Sequence, residues 1–222
     1  FELMPPLTEV IDTLAGDEDP TRIGWMLVHH QPAESVLLEL RSREIPIVSV
    51  DDGSVGTQIC HLVSADHQWA TYQATQMLCL LGHRRIGFLS QAPELSLVAG
   101  ERYRGYELAL QRYGGRPRLL FDPADRHLLA PTIRRLVEPE LHGHEPITAV
   151  VTGNQRIGCD LIALCDESNI EVPDRLSAIS AGFSRREQLA NLQRLSRFDQ
   201  GSLEGLGELA VDLFAEYHQH DH

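Results

Sequence analysis

A chain of 222 residues suits one large α/β domain or two lobes of roughly 100 residues each, and a hydrophobic fraction of 42% supplies a sizeable core. No apolar run approaches the roughly 18 residues of a membrane-spanning helix, so a membrane protein is excluded as a class. The net charge is −13, and all 19 basic residues are arginines, so these residues offer DNA phosphates no broad basic face.

Short apolar runs alternate with longer helical patterns, which predicts parallel sheets with crossover helices. Residues 23–28 read as a strand, and residues 32–42 as a helix with Val36, Leu37 and Leu40 on one face. A second strand over 45–50 ends at the turn signal Asp51-Asp52-Gly53, and a short strand covers 61–63. Asp66 is placed to N-cap a helix over 67–81, closed by Gly82. Then come a strand (86–90), a helix (100–113) stopped by Gly114-Gly115, a strand (119–121) and a helix (130–137). They are followed by a strand (148–152), a helix (155–168), a strand (176–180) and a last helix (202–217). The last helix buries Leu206, Leu209, Ala210, Leu213 and Phe214. No internal repeat or low-complexity linker is visible.

Cys60, Cys79, Cys159 and Cys165 form no CxxC pair and read as buried thiols of a reducing compartment, with a structural disulfide as the alternative. His142, His144, His218, His220 and His222 are metal-ligand types, but they lie in polar stretches where histidine is ordinarily solvated; no metal site and no cofactor are expected. There is no G-x-S-x-G elbow, Walker loop, H-E-x-x-H or G-x-G-x-x-G, so enzymatic activity is not expected. A pocket with two carboxylates about 5–9 Å apart would instead point to a hydrolase.

Open parallel sheets bind ligands beyond the carboxyl ends of their strands. Asp51 follows one predicted strand, Asn154 follows another and opens a helix, and Arg102 starts a helix after the strand and loop of residues 86–99. A carboxylate, an amide and a guanidinium converging on a cleft can hydrogen-bond the vicinal hydroxyls of a sugar or nucleoside. Each residue also has a plainer reading. Asp51 can serve only its turn, Asn154 only as an N-cap, and Arg102 as a surface helix residue. Asp66 reads first as a cap and second as a ligand contact. His83, after a helix C-terminus that favours a cation, reads as structural.

Three segments carry a family resemblance. Asp66 is followed at a spacing of fifteen residues by Gly82-His83-Arg84-Arg85-Ile86-Gly87-Phe88. Then comes Arg102-Tyr103-Arg104-Gly105-Tyr106-Glu107-Leu108-Ala109-Leu110, and then residues 147–179, ITAVVTGNQRIGCDLIALCDESNIEVPDRLSAI. In order and spacing they resemble the D…GHRRIGF, R-x-x-G-[YF]-x-x-A-L and PTAVFAxND…VPEDLSVI segments of the LacI/GalR transcription regulators. Weaker matches flank them at Gly24–Leu27, Ile45–Val48 and Gly207–Ala210. The resemblance implies two Rossmann-like lobes of the type I periplasmic-binding-protein-like kind. The N-terminal lobe would hold 1–67 and about 199–222, and the C-terminal lobe about 68–198.

It also implies a cytoplasmic sensor that binds a small sugar-like or nucleoside-like effector between the lobes, through Asp51, Arg102, Asn154 and Asp66. Homodimerisation is implied, as is operator DNA bound through an N-terminal helix-turn-helix absent from these residues, with no membrane partner. A periplasmic solute-binding protein of the same fold is the alternative. By the same resemblance the chain starts near the second strand of the first lobe and ends before a final strand of the second. Three positions depart from the family. Gln155 replaces the usual Asp after Asn154, Ser180-Ala181-Gly182-Phe183 stands at the usual GFDD, and His67 replaces a frequent Asn. The second removes the carboxylate that commonly binds a sugar hydroxyl in the family, so the departures count against an ordinary sugar and point to a different or less hydroxylated ligand or to a drift away from small-molecule sensing.

Overall fold

The computed structural model describes residues 25–28, 34–51, 60–92, 94, 96–125, 127–182, 195–199 and 203–220. Two compact units divide the chain, Phe1–Ala65 with Leu203–His222, and Asp66–Ser202. The fold class is the α/β one that the alternating pattern predicts, with every strand pairing parallel.

The first unit holds a three-stranded sheet in the order β1-β2-β3, formed by Trp25–Val28, Ile47–Val50 and His61–Val63. Helix α1 (Glu34–Ser42) buries Leu37 and Leu40 against Leu27, Ile45 and Ile47. On the other side, α6 (Leu203–His220) packs Ala210, Leu206, Leu213 and Phe214 on Val48 and Val50. The central strand is therefore apolar on both faces, as a parallel sheet covered twice requires. Leu209, assigned from sequence to the buried side of this helix, is exposed. Residues 23–24, 32–33, 52–53 and 202 of the predicted elements lie outside the described residues.

The second unit holds a five-stranded sheet in the order β5-β4-β6-β7-β8, formed by Arg118–Leu120, Ile86–Leu89, Ala149–Thr152, Ser177–Gly182 and Ser196–Asp199. Helices α2 (His67–Leu80) and α3 (Leu97–Tyr113) cover one face through Ala70, Ala74, Leu78, Tyr106 and Leu110. Helices α4 (Ala130–His142) and α5 (Gln155–Glu167) cover the other through Ile133, Val137, Leu141, Ile157, Leu161 and Ile162. Strand β8 was not assigned from sequence; Ser196-Arg197-Phe198-Asp199 is short and carries two charges.

Three boundaries move for physical reasons. Helix α3 starts at Leu97 rather than at residue 100, because Ser96 Oγ accepts a hydrogen bond from Ala99 N (3.1 Å). Arg102 therefore lies in the second turn of the helix and does not start it. Helix α4 continues past Val137 to His142 although Pro139 lies inside it. Ile133, Val137 and Leu141 recur every four residues and are all buried, and that shared face holds the last turn despite the missing N–H. Strand β7 runs to Gly182, two residues beyond its predicted end.

Asp66 caps α2, its Oδ1 accepting from Trp69 N at 2.7 Å. Asp66→Ala should lower stability by about 1 kcal/mol, as loss of an N-cap usually does, while Asp66→Ser should retain most of it. Urea unfolding midpoints of the two variants check this.

Gly82 ends the α2 segment with φ at +97°. His83, next in the chain, places Nδ1 2.9 Å from Thr148 Oγ1. Burial lowers its pKa, so desolvation opposes the charge that the preceding helix end favours. The sign follows from linkage. A histidine with a depressed folded pKa takes up protons more readily when unfolded, so its contribution is complete above about pH 6.5 and is lost as pH falls toward the folded value. His83→Gln should flatten the fall in melting temperature between pH 8 and pH 5.5; an unchanged slope would assign that fall to other groups.

Candidate functional site

In the second unit β4 leads through α3 to β5, and β5 leads through α4 back to β6 on the opposite face. The winding thus reverses between the neighbours β4 and β6. Such a topological switch point opens a crevice at the carboxyl ends of the two strands.

The residues there are polar and closely fitted. Ser90 follows β4 and is buried, and Gly153 follows β6. A Cβ on Gly153 would lie 2.2 Å from Ser90 Oγ, so this approach requires glycine. Arg102 Nη1 donates to Gly153 O at 2.7 Å, and Nη2 donates to His67 Nδ1 at 3.2 Å. A guanidinium is always a donor, so His67 must accept at Nδ1 and carry its proton on Nε2. His67 is fully buried at the start of α2. Arg102 thus ties the beginning of α2 to the end of β6 and brings a permanent positive charge to the switch point.

Asn154 is the N-cap of α5, with Oδ1 accepting from Ile157 N at 2.9 Å. Asp66 is committed in the same way to α2. Both carry the plainer role named for them from sequence. Arg102, His67, Gly153 and Asn154 come together, and Asp66 precedes His67 directly. Asp51 belongs to the other unit, where it follows β2. It is buried, has φ at +53°, donates its N–H to Val63 O at 2.8 Å and receives Ser64 Oγ on Oδ1 at 3.5 Å.

Sequence reasoning overlooked one residue that the structure brings forward. Gln155, first in α5, is 7% exposed, and its amide nitrogen has no hydrogen-bond partner. The available signal was its replacement of an acidic residue in the resemblance. Ser180 on β7, fully buried beside Thr152, likewise has an unpartnered hydroxyl. Both belong to the second unit.

Among the described residues no group of histidine, cysteine, aspartate or glutamate could hold a metal ion, and no helix is long and apolar enough to cross a membrane. All four cysteines are buried and none is in a disulfide. Burial is the main cause raising the pKa of Cys79 and Cys159, which keeps these thiols protonated and unreactive.

A doubly wound parallel sheet with a polar switch point defines a ligand-binding α/β protein. The family described as "Periplasmic binding protein-like domain" matches residues 75–222, and the chain belongs to it. Over 194 residues the chain is 25% identical to catabolite control protein A of Priestia megaterium, covering 87% of this chain and 57% of that one. The chain thus spans little more than half of that curated relative. A LacI transcriptional regulator from a Rhodococcus species shares the fold with a TM-score of 0.76 and 22% identity, over 96% of this chain and 75% of that one. A CelR transcriptional regulator solved as a cellobiose complex matches with a TM-score of 0.72 and 18% identity, over 97% of this chain and 64% of that one. The likeness to LacI-type regulators carried by the sequence motifs therefore recurs in sequence and in fold.

Proposed function

We propose that the chain is the effector-binding core of a LacI/GalR-type transcription regulator, a cytoplasmic sensor and not an enzyme. The observation that carries this reading is Arg102, held on Gly153 and His67 at the switch point of a sheet shared with such regulators. The effector is a small sugar-like molecule, a class supported by the relative solved with cellobiose. Arg102 supplies two-pronged donation to it, and Asn154 and Asp66 place the helix ends of the second unit beside it. Operator DNA is contacted outside these residues, consistent with a net charge of −13, and the regulator works as a homodimer. Effector affinity then differs between DNA-competent and incompetent states, which is what couples binding to release.

A thermal-shift screen with sugars, polyols and nucleosides tests this. The expected result is a stabilising compound whose shift disappears in Arg102→Ala. Because Asn154 caps α5, Asn154→Ala would mix a stability loss with any binding loss; Asn154→Ser keeps a cap and isolates binding. A shift untouched by Arg102→Ala removes the assigned site, and no shift with any compound removes the sensor role.

A further inference from the structure

His67 is a polar ring in the interior of the second unit. It is fully buried at the first position of α2, where an imidazole must keep its hydrogen bonds or cost the fold their loss. Its Nδ1 lies 3.2 Å from Arg102 Nη2 on α3. A guanidinium only donates, so the ring accepts at Nδ1 as the neutral tautomer.

Two features of the backbone set this contact. Asp66 Oδ1 accepts from Trp69 N at 2.7 Å and fixes the first turn of α2, which carries His67. Gln68, the next residue, meets Gly105, one turn after Arg102 on α3. A Cβ on Gly105 would stand 2.1 Å from Gln68 O, so the two main chains touch there. The spacing between His67 and Arg102 is therefore set by main-chain contact right beside them. The other prong of the guanidinium is held as well, Nη1 donating to Gly153 O at 2.7 Å. A planar fork attached through both terminal nitrogens is held in one plane. These two acceptors are neutral, so they orient the cation without cancelling its charge, which a carboxylate in the place of His67 would do. A side chain already ordered spares its ligand the entropy of ordering it.

Resting on the reading of Arg102 as the ligand contact, we infer that His67 is a positioning residue of this site: its Nδ1 holds the Arg102 guanidinium in the orientation from which it meets the ligand.

Nitrogen NMR of the isotopically labelled chain tests this with no ligand present. In the parent, His67 should carry its proton on Nε2 and none on Nδ1, and the Arg102 guanidinium should rotate slowly enough to give separate Nη signals. His67→Asn puts an amide oxygen close to where Nδ1 stood and should keep the separate signals. His67→Leu fills a similar volume with no acceptor, and there the signals should merge. A proton on Nδ1 in the parent, or separate signals that survive in His67→Leu, would overturn the inference. Should His67→Leu fail to fold, the parent tautomer and the Asn variant still decide. Calorimetry with glucose, sorbitol and adenosine carries the comparison to binding. A compound whose binding Arg102→Ala abolishes should bind about tenfold more weakly to His67→Leu and within about threefold of the parent to His67→Asn. Equal affinity for the parent and His67→Leu would also overturn the inference. The expected spectra with no compound bound by the parent would leave the positioning of Arg102 standing and remove the sensor reading instead.

Discussion

Gly105→Ala should destabilise the second unit by about 3 kcal/mol, the largest effect expected of any single methyl group in this chain. A Cβ at this position would lie 2.1 Å from the backbone oxygen of Gln68 and 2.9 Å from Tyr72 N. Both obstacles are main-chain atoms of α2, so no side chain can swing aside. Helix propensity alone argues the other way, since alanine is favoured over glycine in a helix by about 1 kcal/mol. Steric exclusion wins because α2 and α3 would have to separate, opening the contacts of Ala70, Ala74, Tyr106 and Leu110. For a protein of this size 1 kcal/mol corresponds to about 2–4 °C, so the melting temperature should fall by about 6–12 °C. Gly207→Ala is the control. Nothing lies within 4 Å of its added Cβ, so helix propensity acts alone and the melting temperature should rise by a few degrees. A Gly105→Ala protein that melts with the parent would mean that the two helices are not in contact as described.

Tyr106→Phe should cost about 2 kcal/mol without changing the shape of the core. The Tyr106 ring is fully buried between α3 and the sheet, 5.1 Å from Phe88 by ring centroids. Its hydroxyl donates to Ile86 O at 2.6 Å and accepts from Arg118 N at 2.8 Å, bridging the starts of β4 and β5. Phenylalanine keeps the apolar contact and deletes both bonds, leaving a buried carbonyl and a partly buried N–H short of a partner. Burial pushes the hydroxyl far above its ordinary pKa, so it remains a neutral donor across the working range. The loss should therefore be the same at pH 6 and pH 9, measured by denaturant unfolding at both. A cost that vanished at pH 9 would mean that the hydroxyl had ionised there, against its burial.

Much of the fold was legible in the chain because its signals are local. Apolar runs such as Ile86–Leu89 and Ala149–Thr152 are buried on both faces and need no partner to be recognised as interior strands. Asp66 and Asn154 announce helix starts because an N-cap satisfies N–H groups only three residues away. Strand β8 was not legible, since Ser196–Asp199 pairs only because β7 offers it an edge. The extension of α4 through Pro139 was hidden for the same reason, as it depends on the core that receives Leu141.

The candidate site divides along that line. The sequence alone determined that Asp51 and Asn154 stand at strand or helix ends and that Gln155 departs from the related pattern, because both follow from order and residue type; Arg102, read as starting a helix, lies in its second turn. Only the tertiary structure decided that Arg102 rests on Gly153 and His67 while Gln155 is enclosed with a donor to spare. The physical reason is that hydrogen-bond satisfaction and steric contact join atoms far apart in the chain, Arg102 to Gly153 and Gly105 to Gln68, and no local pattern of residues encodes which of them will meet.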